Sequence, residues 1–225
     1  MRAIEKARST TRLGRRALVA AALVLGLALA GDGWAGPATD TLRAQIDRVV
    51  KILDDPELKR DGRAKERRMA VRRIAEEIFD FNETARRSLG RHWQSRTAAE
   101  RREFVDLFAD LLERSYLSKV ELYNGERIAF LGDTVDGEQA LVRTKIVTRQ
   151  GTEVPVDYKM FRQGPRWLVY DVVIEGVSLI ANYRTQFNKI IQTSSYQELV
   201  RKMKTKQAEF LDERRRTSMV AIGAA

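Results

Sequence analysis

The chain of 225 residues contains no cysteine and a single histidine, His92. Without thiols no disulfide can staple the fold, so its stability must come from a hydrophobic core even in an oxidising compartment. The same two absences exclude most zinc, haem and thiol chemistry, which draws its ligands and nucleophiles from these residue types. There is no glycine-rich phosphate loop and no set of carboxylates at metal-binding spacing. Internal repeats and low-complexity linkers are missing as well.

What is present begins with an export pattern. Arg2, Lys6, Arg8, Arg12, Arg15 and Arg16 stand against one acid, Glu5, and a small, apolar run of 14 residues follows, Ala17 to Ala30. A membrane-spanning helix needs about 20 such residues. A basic head, a short apolar middle and small residues at the exit form a secretory signal. Cleavage fits after Ala30 or after Ala35, and the second leaves a polar start. Arg15-Arg16 loosely resembles a twin-arginine signal. An uncleaved anchor is the alternative, and the short run argues against it. The expectation is a signal peptide over 1–35 and a mature exported domain from residue 36. Removing residues 1–35 leaves 35 basic against 29 acidic residues, a net charge of +6. That excess favours anionic membrane surfaces or acidic partners and does not by itself make a nucleic-acid binder.

The mature chain changes period midway. Residues 38–124 read as helices. Leu42, Ile46, Val49, Val50 and Leu53 share one helix face, ended by Asp55-Pro56. A second helix runs over 63–79, and a short one from an N-cap at Asn82 to Gly90. Thr97-Ala98-Ala99-Glu100 is a capping box opening a long apolar stripe from Phe104 to Tyr123. Alternation of period two then marks strands over 127–132, 139–149, 153–162 and 166–175, joined by short glycine turns. The last is apolar on both faces, with Leu168, Tyr170, Val172 and Ile174 on one side, and needs cover on both. Helices return at Ser178 and Ser195. The fold class is α+β: about four antiparallel strands in a curved sheet, packed on helices on one side. The folded domain is expected to end near residue 210, before a charged flexible tail over 211–225.

Catalytic candidates are few. His92 follows a helix end and reads best as a surface or capping histidine. Ser178, Ser194 and Ser195 are helix caps without an activating base. Asp171 sits among apolar residues on the last strand, either as a pocket acid or as a salt-bridge partner of a neighbour such as Arg143. The residue pattern does not distinguish a filled core from a hollow one.

Several separated segments are distinctive together: Phe79-Asp80-Phe81, Gly90-Arg91-His92-Trp93, Glu103-Phe104, Val154-Pro155-Val156-Asp157-Tyr158, and the whole stretch from Tyr170-Asp171-Val172 through Glu175-Gly176-Val177-Ser178 to Arg184-Thr185-Gln186-Phe187. In this order they resemble the MlaC family of toluene-tolerance auxiliary proteins over residues 38–210. The resemblance implies an NTF2-like cone with an added helical subdomain and an apolar pocket between sheet and helices. It implies a periplasmic, non-enzymatic shuttle with no cofactor, carrying phospholipid between an outer-membrane lipoprotein complex and the MCE-domain protein of an inner-membrane ABC transporter. A related hopanoid cargo is the alternative, as is an isomerase or hydrolase of the same fold using Asp171. On this reading the lining comprises Val142, Ile146, Val156, Tyr158 and Val172 from the sheet. The helices add Phe104, Phe108, Leu111, Tyr116, Leu179, Tyr183 and Phe187. Arg91 and Arg184 stand by the mouth near a phosphate or in structural salt bridges. The outward row Arg143, Lys145, Arg149 and Lys159 is either a docking face or simply solvated. Expressed from Met1 in a bacterium with two membranes, the chain is expected in the periplasmic fraction with a mass starting at Gly36; an intact mass that retains residues 1–35 would contradict the export reading.

Overall fold

The computed structural model describes residues 36–60 and 62–223, and the side chains of all of these except Ser118 and residues 213–223. The expected export signal lies outside the described residues. Helices α1 (Pro37–Asp54), α2 (Pro56–Lys59), α3 (Ala64–Ile78) and α4 (Phe81–Leu89) come first, then a 3-10 turn over Gly90–His92 and the long α5 (Ala98–Val120). Strands β1 (Arg127–Asp136), β2 (Gln139–Val147), β3 (Glu153–Gln163), β4 (Arg166–Ile174) and β5 (Val177–Ser178) follow, and α6 (Leu179–Thr193) and α7 (Tyr196–Gly223) close the chain. The fold is α+β, with an open antiparallel sheet in the order β1-β2-β3-β4-β5.

Local chemistry sets the helix starts. Thr97 Oγ1 accepts from the Glu100 N–H, and Glu100 returns the bond to the Thr97 N–H at 2.8 Å, a complete capping box. The cap of α4 is Asp80, not Asn82: its carboxylate accepts from the Glu83 N–H at 2.9 Å. The Asp80 N–H donates to Val169 O at 3.0 Å, so the helix start is hung on β4. Asp133 of β1 accepts from the Thr39 N–H at 3.1 Å and ties the start of α1 to the sheet. A Cβ on Gly36 would lie 2.5 Å from that carboxylate, so the approach requires glycine there. At the other end of the chain, α7 is helical to Gly223, well past the expected boundary at 210. The stretch from Leu211 to Ile222 holds no proline or glycine to stop it.

Two irregularities reshape the sheet. β1 does not end at Gly132; it bulges between Phe130 and Gly132, where Gly132 has φ +100°, and continues to Asp136. The β3–β4 register jumps from Lys159↔Asp171 to Met160↔Val169, leaving Tyr170 as the extra residue. The side-chain alternation of β4 therefore reverses there. Trp167 and Val169, not Leu168 and Tyr170, join Val172 on the face that carries Val142 and Met160.

The sheet separates two cores. On one face Ala140, Val142, Met160, Trp167 and Val169 pack with Ala38 and Leu42 of α1 and with Ile78. The other core is helical, built around Leu89, Phe104, Phe108, Phe187 and Leu199 from α4 to α7. Helices lie on both sides of β4, not on one side only. Its second face carries the buried Leu168, Tyr170 and Asp171. There Arg87 of α4 stacks on the Tyr170 ring at 3.8 Å and Thr84 bonds Tyr170 O.

Asp171 joins sheet to helix. Its carboxylate accepts from Ile180 N at 3.1 Å, Ser178 Oγ at 2.6 Å and Lys159 Nζ at 3.1 Å. Arg143, its expected partner, instead donates to Thr134. Replacing Asp171 with alanine strands the first turn of α6 and the Lys159 ammonium, an expected loss of about 2–3 kcal/mol in urea unfolding; a change below 0.5 kcal/mol would show that this cap contributes nothing.

Candidate functional site

Cross-strand register sorts the inner face of the sheet into rows. At one end Ala140, Met160 and Val169 are adjacent and buried under α1. The next row is Val142, Tyr158 and Val172. Beyond it come Phe130, Thr144, Val156 and Ile174, and at the far end Ile128, Ile146 and Val154. Every member of that last row is only half-buried, although all are large and apolar. Cover thus thins out along the face.

The reason lies in α5. Phe104, Leu107 and Phe108 in its first half are buried, but every residue from Ala109 to Leu117 is half-buried. This helix packs on α3, α4 and α7 and makes at most fringe contact with the strands. The far rows of the sheet are therefore approached from α1 rather than from α5, and their members stay half-buried. A cleft of about 310 Å³ opens here, between Ile46, Asp47 and Val50 of α1 and Arg127, Ile128 and Phe130 of β1, with Tyr123, Gly125 and Glu126 at its rim. Its lining is mixed, with apolar Ile46, Val50, Ile128 and Phe130 beside charged Asp47, Glu126 and Arg127. Arg43 also stacks on Phe130, 4.2 Å from the ring centroid.

Tyr158 marks the depth of this region. Part of its surface remains accessible, yet burial alone pushes its phenol up to about 12. It packs against the core that α1 makes with the sheet.

The twelve expected lining residues fall into two places. Val142, Ile146, Val156, Tyr158 and Val172 all lie on the inner sheet face, as their alternation predicts. Phe104, Phe108 and Phe187 are in the helical core with at most 4% exposure. There Phe104 and Phe108 stack at 5.9 Å and Phe187 meets both edge-on, while Leu111 packs against the same cluster. Tyr183 closes the array edge-on to Phe108 at 5.1 Å. Leu179, the first residue of α6, is half-buried. Sequence reading missed the wall from α1 and β1. Ile46, Val50, Ile128 and Phe130 were visible as apolar stripes, but no local signal shows that these two stripes face one cleft.

The chemistry of catalysis does not gather here. Asp171 is on the opposite face of β4 with its carboxylate occupied, and His92 Nε2 is hydrogen-bonded to Asn188 Oδ1 at 2.9 Å. Among the described residues no cluster of three or more His, Asp or Glu side chains is placed to hold a metal ion. Nor, among them, is any helix long and apolar enough to cross a membrane. The outward basic row is largely engaged: Lys145 pairs with Glu153, Lys159 with Asp171, and Arg143 bonds Thr134.

Residues 43–205 match the family model described as MlaC protein. The chain belongs to the MlaC family. Similar proteins include the "Intermembrane phospholipid transport system binding protein MlaC" of Haemophilus influenzae, 26% identical over 120 residues. That match spans 51% of this chain and 56% of the relative. Among solved structures, a phospholipid-binding protein of Ralstonia solanacearum in complex with a phospholipid superposes with a TM-score of 0.68 at 26% identity, covering 76% of this chain and 97% of the other. The MlaC match takes in α1 from Arg43 onward, the whole sheet and both walls of the α1–β1 cleft.

Three phenols of this MlaC-family chain, Tyr116, Tyr158 and Tyr196, are raised to about 12, chiefly by burial. The folded state therefore holds these protons more tightly than the unfolded chain, whose phenols lose them near ~10. Their contribution to stability is complete below pH ~10 and is lost as pH rises through about 12. Tyr123 is raised as well, first by burial, so a spectrophotometric titration is expected to show four late-ionising tyrosines, reduced by one in Tyr158→Phe. If Tyr158→Phe removes a phenol titrating near pH ~10 instead, Tyr158 is not deep.

Proposed function

We propose that this protein is a periplasmic carrier that shelters the acyl chains of a phospholipid against the inner face of its sheet. The single observation that carries this reading is the thinning cover along that face: large apolar side chains at Ile128, Ile146 and Val154, left half-buried above a deep Tyr158. Each methylene kept from water is worth ~0.8 kcal/mol, so a sixteen-carbon chain represents about 12 kcal/mol. A lipid crossing an aqueous gap needs walls that replace bilayer contact without directional or covalent bonds. The inner sheet face supplies apolar side chains and the α1–β1 cleft an entrance of mixed apolar and charged lining.

The cleft stands at the lower end of the ~300–1,000 Å³ usual for ligand sites. Two acyl chains therefore need further room, and the separation between the far rows of the sheet and the second half of α5 is where they gain it. Opening at that seam breaks little packing, because α5 is held by its neighbouring helices and not by the strands. The names of the similar proteins speak for phospholipid over a hopanoid. In this reading cargo passes between an outer-membrane lipoprotein complex and the MCE-domain protein of an inner-membrane ABC transporter, and the protein performs no catalysis.

Organic extracts of the purified protein are expected to yield about one phospholipid per chain by mass spectrometry. Ile146→Asp places a charge on the half-buried row, where the fold tolerates it better than in either core, and is expected to cut bound lipid at least fivefold with the circular dichroism spectrum unchanged. Recovery of no lipid from the unmodified protein would instead favour a solid adaptor; lipid bound equally by Ile146→Asp would remove the sheet face as its site.

A further inference from the structure

The second cleft in the molecule lies away from the sheet. It measures about 370 Å³ and is lined by Leu89, Gly90, Arg91, His92, Arg184, Thr185 and Asn188. It shares no residue with the α1–β1 cleft. Two guanidiniums enter it, and among the described residues neither makes an ion pair with a carboxylate.

The cleft is also built, not merely charged. Gly90 has φ +57°, and a Cβ there would stand 3.2 Å from Arg184 Cδ and 3.6 Å from Cγ. The glycine thus lets the aliphatic stem of Arg184 lie close across the backbone, which fixes where its guanidinium emerges. Arg91 and His92 are held from the other side. Asn188 Oδ1 accepts from Arg91 Nη2 at 3.0 Å and lies 2.9 Å from His92 Nε2. The Asn188 amide is itself oriented by donating to Gln192 Oε1 at 3.2 Å. Among the described residues, Arg91 spends one of its N–H donors on this bond and Arg184 spends none, so most of both planar forks is left for a guest. Forked donors of this geometry match the oxygens of a phosphate group.

We propose that Arg91, Arg184 and the Asn188-held His92 form a phosphate-group site, separate from the acyl-chain site and independent of whether that site holds lipid. Its ligand is a phosphate monoester, a phosphodiester headgroup or inorganic phosphate, since the recognised chemistry is common to all three. The cleft is open and its floor is polar on the Asn188 side, so it suits a hydrated anion and not a hydrocarbon chain.

The test is a ¹⁵N–¹H titration of the purified protein with sodium phosphate, glycerol 3-phosphate and glycerophosphocholine, each against sodium chloride at matched ionic strength. Saturable shifts confined to residues 89–92 and 184–188 are expected with at least one phosphate compound. Binding of glycerophosphocholine would assign the site to a lipid headgroup; binding of inorganic phosphate alone would assign it to the free anion. Either supports the proposal. Arg184→Gln is expected to weaken binding about tenfold, the loss of one charge-assisted hydrogen bond, and Arg91→Gln with Arg184→Gln to abolish it while the rest of the spectrum is unchanged. No saturable shift beyond that of chloride would overturn it, as would binding that survives the double substitution. A short polyglutamate peptide that binds where no phosphate compound does would equally overturn it, marking the cleft as a protein-docking surface.

Discussion

One constraint organises this molecule: an antiparallel sheet with an apolar inner face, and a helix complement that covers only part of it. α1 is pinned to the sheet by Asp133 at its N-terminus and packs Ala38 and Leu42 onto the near rows. α5 would be the natural cover for the far rows, but its first half is committed to the helical core through Phe104 and Phe108. The rest of α5 is held by ion pairs to α3, Arg68–Glu121 and Arg72–Glu113, rather than by contact with the strands. The result is a solid helical half joined to a sheet whose far end is left loosely covered.

The joint between the halves must be firm for the other seam to be soft. β4 supplies that firmness, being covered on both faces. Its bulge at Tyr170 turns Asp171 toward α6, where it caps the helix, and turns Val172 back toward the cleft side. A residue that looks like a pocket acid in the sequence is thus a strut between sheet and helix, and a buried carboxylate with three hydrogen bonds is costly to move.

Much of this was legible in the residues. The capping box at Thr97, the period-two strands and the cap at Ser178 are local signals, and each appears in the structure. The family segments, which carry several of these features in order, located the chain correctly in the MlaC family. What escaped were consequences of register. Gly132 is the local sign of the bulge at Leu131, but nothing local announces the one at Tyr170, and each shifts side chains from one face to the other. The partner of Asp171 followed the same logic: Lys159 is opposite it in the ladder, whereas Arg143 is two strands away. The candidate site was half legible. Strand alternation identified Val142, Ile146, Val156, Tyr158 and Val172, because an inner face needs only parity. Of the helix-side residues, Phe104, Phe108 and Phe187 pack in the helical core, a position their spacing alone does not distinguish from a lining one. The stripe of α1, with Ile46 and Val50, belongs to the cleft only through tertiary packing.

The central claim, that hydrocarbon lies against the far rows of the sheet, is tested most directly by photolabelling. A phospholipid carrying a diazirine on its acyl chain, loaded into the protein, irradiated and mapped by peptide mass spectrometry, is predicted to label the peptides containing Ile128, Ile146, Val154 and Tyr158, together with the second half of α5. Labelling confined to α6 and α7, or to the outward row around Arg143, would contradict it.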